Sequence, residues 1–152
     1  MGQPFKLFVQ YTTDNKDTPT RPQFRRWVKA ALMQEAHIVL RIVDESEGLE
    51  LNSRYRKKKY ATNVLTFTYD ETQPLSGDIV LCAAIVEKEA QQQHKDLTAH
   101  YAHLTVHGIL HLQGYDHNDD TEATIMEQLE TKILTQLGYN DPYKTQSNDT
   151  LY

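Results

Sequence analysis

The sequence predicts a single α+β domain: a small mixed sheet of about four strands with helices packed on it. Three observations carry that expectation. Strand-like apolar runs alternate with apolar residues at helical spacing, no Gly-, Pro- or Ser-rich linker or repeat divides the 152 residues, and a hydrophobic content of 39% suffices for one core.

The elements follow in order along the chain. Phe5 to Val9 alternates after Pro4 and reads as a strand, and a polar, Pro-containing loop runs on through Pro22. Phe24, Trp27, Val28, Ala31 and Leu32 recur at helical spacing, and Ile38 to Val43 is a β-branched run that ends at Asp44 and Glu45. Ser46 through Lys57 suits a second helix with Leu49, Leu51 and Tyr55 as its apolar contacts. Asn63 to Thr68 returns to strand character, and Gly77 to Cys82 opens at a turn glycine and reads as the fourth strand. A helical stretch from Ala83 to Gly114 is expected to break near His94 to Asp96, and a last helix spans Thr121 to Leu137, with Met126 at core spacing beside Leu129 and Ile133. The domain is placed at 1–139, with 140–152 a polar tail expected to fray.

Composition removes several function classes. Cys82 is the only cysteine, so neither an intrachain disulfide nor a Cys-rich zinc module can form, which suits a reducing compartment. The first residues have no apolar stretch of signal-peptide length and nothing later approaches a membrane span, so a soluble, cytoplasmic protein is expected. A net charge of -5 gives no whole-molecule attraction to phosphate, so nucleic-acid contact has to come from a local basic patch.

The chemistry concentrates between Tyr101 and His117. His107 and His111 stand four apart, which on a helix puts both imidazoles on one face with Cβ atoms about 5 to 6 Å apart, close enough to chelate one ion. Gly114 supplies a helix stop, because glycine takes the left-handed conformation that reverses the chain and can return His117 as a third ligand. Three neutral nitrogen donors with one position left open is the pattern of a catalytic zinc rather than a structural one, so one Zn2+ ion is expected. A single histidine on an apolar face is more often a packed, hydrogen-bonded residue, but three at this spacing on so apolar a helix reverse that preference. His100 and His103 share the stripe and are read as neighbours of the ligands, while His37 and His94 are assigned no role.

The spacing matches the zincin pattern H-E-x-x-H-x-x-G-x-x-H of metzincin peptidases except at Gly108, which stands where the glutamate should be. That glutamate is the peptidase's general base, so the chain keeps the metal cage and lacks the residue that serves amide hydrolysis. A zinc metallopeptidase is thereby reduced to an alternative, beside a noncatalytic protein whose fold a metal stabilises.

His107-Gly108-Ile109-Leu110-His111-Leu112-Gln113-Gly114-Tyr115-Asp116-His117 resembles the signature H-G-x-L-H-L-x-G-Y-D-H of the YbeY-type endoribonucleases, with every specified position present. Leu51-Asn52 with Tyr55-Arg56, then Thr62 to Phe67, and Gly77-Asp78-Ile79 extend the likeness over most of the domain. Ala61, Thr66 and Thr68 depart from the proline, serine and proline common at those positions. The resemblance implies a single-strand-specific, metal-dependent RNA hydrolase that forms the 3′ end of small-subunit rRNA and serves ribosome quality control. Its expected partners are therefore single-stranded rRNA and the ribosome or small ribosomal subunit.

Arg56 matches the family's arginine in position and becomes the catalytic candidate, because a guanidinium grips two phosphate oxygens and stays charged. It lies in Arg54-Tyr55-Arg56-Lys57-Lys58-Lys59-Tyr60, the one conspicuous basic patch, whose cations and tyrosines suit single-stranded RNA; a solvated helix end is the competing explanation. Asp116 is a candidate for orienting a ligand or capping the turn, and Asp78 and Asn63 are weaker candidates as loop-fixing residues.

Overall fold

The computed structural model describes residues 4–56, 63–70, 74–116 and 119–143, with Tyr55, Arg56 and Asp70 described by backbone alone. The chain runs β1 (Phe5–Thr12), α1 (Arg21–Ala31), β2 (Ala36–Val43), α2 (Glu45–Arg56), β3 (Val64–Asp70), β4 (Leu75–Cys82), α3 (Ala83–Gln92), α4 (Leu97–Leu112) and α5 (Asp120–Gln136). The strands form one four-stranded sheet in the order β1-β2-β4-β3. The first three in that order are parallel, and β3 lies antiparallel beside β4 with a bulge between Thr68 and Asp70. The expected α+β architecture with a mixed sheet is the one observed.

Side-chain alternation divides the sheet into two faces. Ala36, Ile38, Leu40 and Ile42 of β2 enter the main core with Ile79 of β4, against Phe24, Trp27 and Val28 of α1 and Val106, Ile109 and Leu110 of α4. On the other face Val43, Leu65, Val80 and Cys82 make a second, smaller cluster with Leu51 of α2. Most of α4 is buried, which places it at the centre of the domain and explains why its sequence is apolar nearly all round.

Local signals start and stop the helices where the chain turns. Thr20 and Gln23 form a reciprocal capping box at α1, and Asp96 caps α4 by accepting from the Ala99 amide at 3.0 Å. His94, at φ 55, occupies the left-handed region and breaks the long helical stretch between α3 and α4, where the break is expected. At the far end of α4, Gly114 has φ +102, and the amides of Gly114 and Tyr115 donate to His111 and Leu110 carbonyls at 3.0 and 3.1 Å. This is the Schellman arrangement that satisfies the last carbonyls and reverses the chain.

Two glycines let α4 lie close on the sheet. A Cβ at Gly77 would stand 2.8 Å from Leu112 Cδ2 and 2.9 Å from the Phe67 carbonyl, and one at Gly108 would stand 3.2 Å from Ile79 Cδ1. The Gln113 amide fixes the same end to α1, donating to the Ala31 carbonyl at 2.9 Å and accepting from the Met33 amide at 2.7 Å.

Fraying is expected after Gly138, yet residues 139–143 pack back on the body. Tyr139 accepts from Trp27 Nε1 at 3.2 Å, and Asp141 accepts from the Tyr143 amide at 2.8 Å. Residues 144–152 lie outside the described part, and so do Lys57 to Thr62. Among the described residues no helix is long and apolar enough to cross a membrane.

Candidate metal and active site

The four-residue spacing of His107 and His111 places their rings nearly parallel, 5° apart in plane with centroids 6.2 Å apart. Each ring is held from behind by an oxygen. His107 Nδ1 donates to Glu130 Oε2 at 2.6 Å, and His111 Nδ1 donates to the Tyr115 carbonyl at 3.1 Å, which the Gly114 turn has brought back under the helix. A neutral imidazole with its proton on Nδ1 carries its lone pair on Nε2, so both rings are set in the tautomer that ligates through Nε2. A carboxylate or carbonyl behind a histidine is the usual support of a ligating imidazole, and this pair therefore fits a zinc ion.

Glu130 of α5 has no exposed surface. Burial raises its pKa, but hydrogen bonds from His103 and His107 lower it further, and the net result is a carboxylate held down to about 2. His103 Nε2 donates to Glu130 Oε1 at 2.9 Å, and the Tyr143 hydroxyl reaches the same oxygen. Leaving so buried a charge without partners would cost several kcal/mol, roughly 3 to 5 when one member of such a pair is removed. Neither Glu130 nor Tyr143 is singled out by the sequence reading. A signal for Glu130 exists: it is a charged residue within the buried stripe of Met126, Ile133 and Leu134. Tyr143 has none, because only the docking of 139–143 brings it to α5.

The neighbouring histidines sit where residues beside a ligand set should. His100 Nε2 donates to Glu89 Oε1 at 3.0 Å, and Asn63 Nδ2 donates to the same oxygen at 3.0 Å, tying the entrance of β3 to α3 and α4. Burial lowers the pKa of His100 against the opposing pull of Glu89. Asn63 is thus a residue that fixes a strand entrance. Asp78 is separate from this region, accepting from Tyr69 on the sheet face opposite the one that Gly77 and Ile79 turn toward α4.

Of the sequence-derived candidates, the structure brings His107 and His111 together. His117 lies outside the described residues, and Arg56 is placed only as the last residue of α2. Among the described residues no group of three metal-ligating side chains converges. In the basic patch, Arg54 pairs with Glu50 at 3.0 Å in an exposed i,i+4 contact, which contributes little to stability. Gly108 faces buried Ile79, and a Cβ there would stand 3.2 Å from Ile79 Cδ1, so the position that carries the peptidase base in zincins is tightly packed here.

Comparison with known proteins extends this geometry. The family model described as Endoribonuclease YbeY matches residues 10–138. A protein named Endoribonuclease YbeY from Nitrosomonas europaea is 62% identical over 144 residues, covering 95% of this chain and 88% of that one. Its namesake in Nitrosomonas eutropha is 59% identical across 92% of this chain and 99% of its own, and that of Xanthomonas campestris is 52% identical across 89% and 91%. The solution structure of TM1509 from Thermotoga maritima, 24% identical, superposes with a TM-score of 0.57 over 91% of this chain and 99% of that one, and shares the fold. A family model that spans nearly all of the folded body, and relatives more than half identical along almost their whole length, mean that this chain belongs to the YbeY endoribonuclease family.

Proposed function

We propose that this chain hydrolyses phosphodiester bonds in single-stranded RNA, acting in the cytoplasm on small-subunit rRNA at or near the ribosome, with one zinc ion held by His107, His111 and His117. The observation that carries the metal assignment is the pair of parallel imidazoles, each backed at Nδ1 by an oxygen. A bound zinc ion supplies Lewis acidity and activates water near neutral pH. The chain's own residues do the remaining work. Glu130 and the Tyr115 carbonyl hold the two rings in register, which prevents their turning away when the site is loaded. Arg56 grips the phosphate through two N–H groups and stabilises the charge that develops on it. The lysines that follow Arg56 hold neighbouring phosphates by charge alone.

The peptidase alternative is disfavoured by Gly108, which has no side chain to protonate a leaving amine. A noncatalytic assembly factor would need a fourth protein ligand closing the metal site. The test is an assay of the purified protein on single-stranded RNA, on the same RNA in duplex form and on an unstructured peptide, with a chelator arm, zinc restoration and a His111→Ala control. Cleavage of single-stranded RNA that the chelator stops, zinc restores and His111→Ala lacks is the expected result. Chelator-sensitive peptide hydrolysis with intact RNA would overturn it.

A further inference from the structure

Beside the histidine pair, the fold encloses a second feature that the hydrolytic reaction leaves unused. A cavity of about 610 Å3 lies between the first turns of α4 and residues 138–143. Its walls include Lys95, Ala99, His100, His103, Asn140 and Tyr143. The volume falls within the range of small-ligand sites, about 300 to 1,000 Å3.

Its position ties it to the reacting centre. His103 lines the cavity and donates to one oxygen of Glu130, whose other oxygen holds His107. His103 and His107 are one helical turn apart and take the two oxygens of one carboxylate, which couples the cavity to the back of the His107 ring.

The chemistry of the walls selects the occupant. His100 uses its Nε2 proton on Glu89, and burial keeps the ring neutral, which leaves a lone pair on Nδ1. His103 gives its Nε2 proton to Glu130. Both Nδ1 atoms are buried, and neither has a hydrogen-bond partner among the described residues. The buried His100 acceptor without a donor costs free energy, roughly 1 to 3 kcal/mol, which a ligand bearing an N–H group would relieve after a small turn of the ring. The Asn140 amide adds a donor and an acceptor, the ring of Tyr143 a surface for stacking, and Lys95 a cation for phosphate.

We propose that this cavity is a nucleotide subsite, which takes an amino-bearing base (cytosine, adenine or guanine) of an RNA nucleotide flanking the bond that is cut. The assignment rests on reading the chain as an RNA hydrolase, and the subsite gives that hydrolase a base preference beside the scissile bond.

The test is an NMR titration of the full chain, labelled in alanine methyls and histidine rings, with 5′-CMP, 5′-UMP, ribose 5-phosphate and inorganic phosphate, each with and without zinc. CMP is expected to shift the Ala99 methyl and the His100 and His103 rings saturably, with UMP about tenfold weaker or more, since it presents a carbonyl where CMP has its amino group. Ribose 5-phosphate and inorganic phosphate are expected to leave those signals in place. Ala99→Leu fills the cavity and should weaken CMP about tenfold. Asn140→Ala, at the cavity rim, should weaken it as well and serves if the leucine variant does not fold. In cleavage assays both variants should raise KM more for cytidine-containing oligomers than for oligouridylate, which gains less from the cavity.

Equal responses to CMP and UMP, or shifts produced equally by ribose 5-phosphate, would overturn the base assignment. An Ala99 methyl silent to CMP in a protein that cuts RNA would overturn the subsite alone. CMP bound at Ala99 in a protein that cuts no RNA would uphold the cavity's ligand and overturn the hydrolase reading instead.

Discussion

A carboxylate with no exposed surface needs a partner for each oxygen, and Glu130 finds His107 on one and His103 with Tyr143 on the other. Glu130→Gln keeps the shape and removes the charge, so the ring of His107 loses its fixed orientation. Zinc affinity is expected to fall about 10- to 100-fold, the usual range for such supporting groups, as read by competition with a chromophoric chelator. Unchanged affinity would show that the carboxylate serves packing alone. Arg56 poses the complementary case, because Arg56→Lys keeps charge and loses the two-pronged grip. Its cleavage rate is expected to drop well below wild type while its Tm stays within a few degrees; cleavage at the wild-type rate would make the arginine a bystander.

Among the elements, α4 decides the geometry, and much of it is legible in the text of the chain. The break at His94 and the stop at Gly114 are local events, set by a few residues in a row, and they fall where the sequence puts them. The histidine pair is legible for the same reason, since a spacing of four needs only a helix. Glu130 and Tyr143 reach the site through the docking of α5 and residues 139–143, a tertiary contact that no periodicity encodes. The polar composition of 139–143 also hides how it is anchored, because its anchors are hydrogen bonds to scattered partners, Trp27, Thr131 and Glu130 among them. Gly114→Ala is expected to cost about 1 to 2 kcal/mol, the penalty for a side chain in the left-handed region. It should weaken zinc binding too, because the Tyr115 carbonyl behind His111 belongs to the same turn; a thermal melt and a zinc titration read both. Gly77→Ala meets Leu112 and the Phe67 carbonyl in close contact, and a loss of about 1 to 3 kcal/mol in a denaturant titration is expected.

For the whole molecule, metal and fold are linked. An ion that binds only the folded chain stabilises it by about 2.7 kcal/mol at 100 times its Kd. In a domain of this size that corresponds to roughly 5 to 10 °C in Tm. Zinc should therefore raise the melting temperature by that amount, and His111→Ala should abolish the rise while leaving the metal-free melt nearly unchanged; a rise that survives the substitution would place the ion elsewhere. The seam in which Gly77 and Gly108 let α4 rest on β3 and β4 has a consequence for how the gene tolerates change. In a saturation library selected for activity, these two glycines should look as intolerant as the histidines, although neither has a side chain to offer a substrate. Sorting the same library for cellular abundance would separate the two groups, with glycine variants depleted by proteolysis and histidine variants accumulating as intact, inert protein.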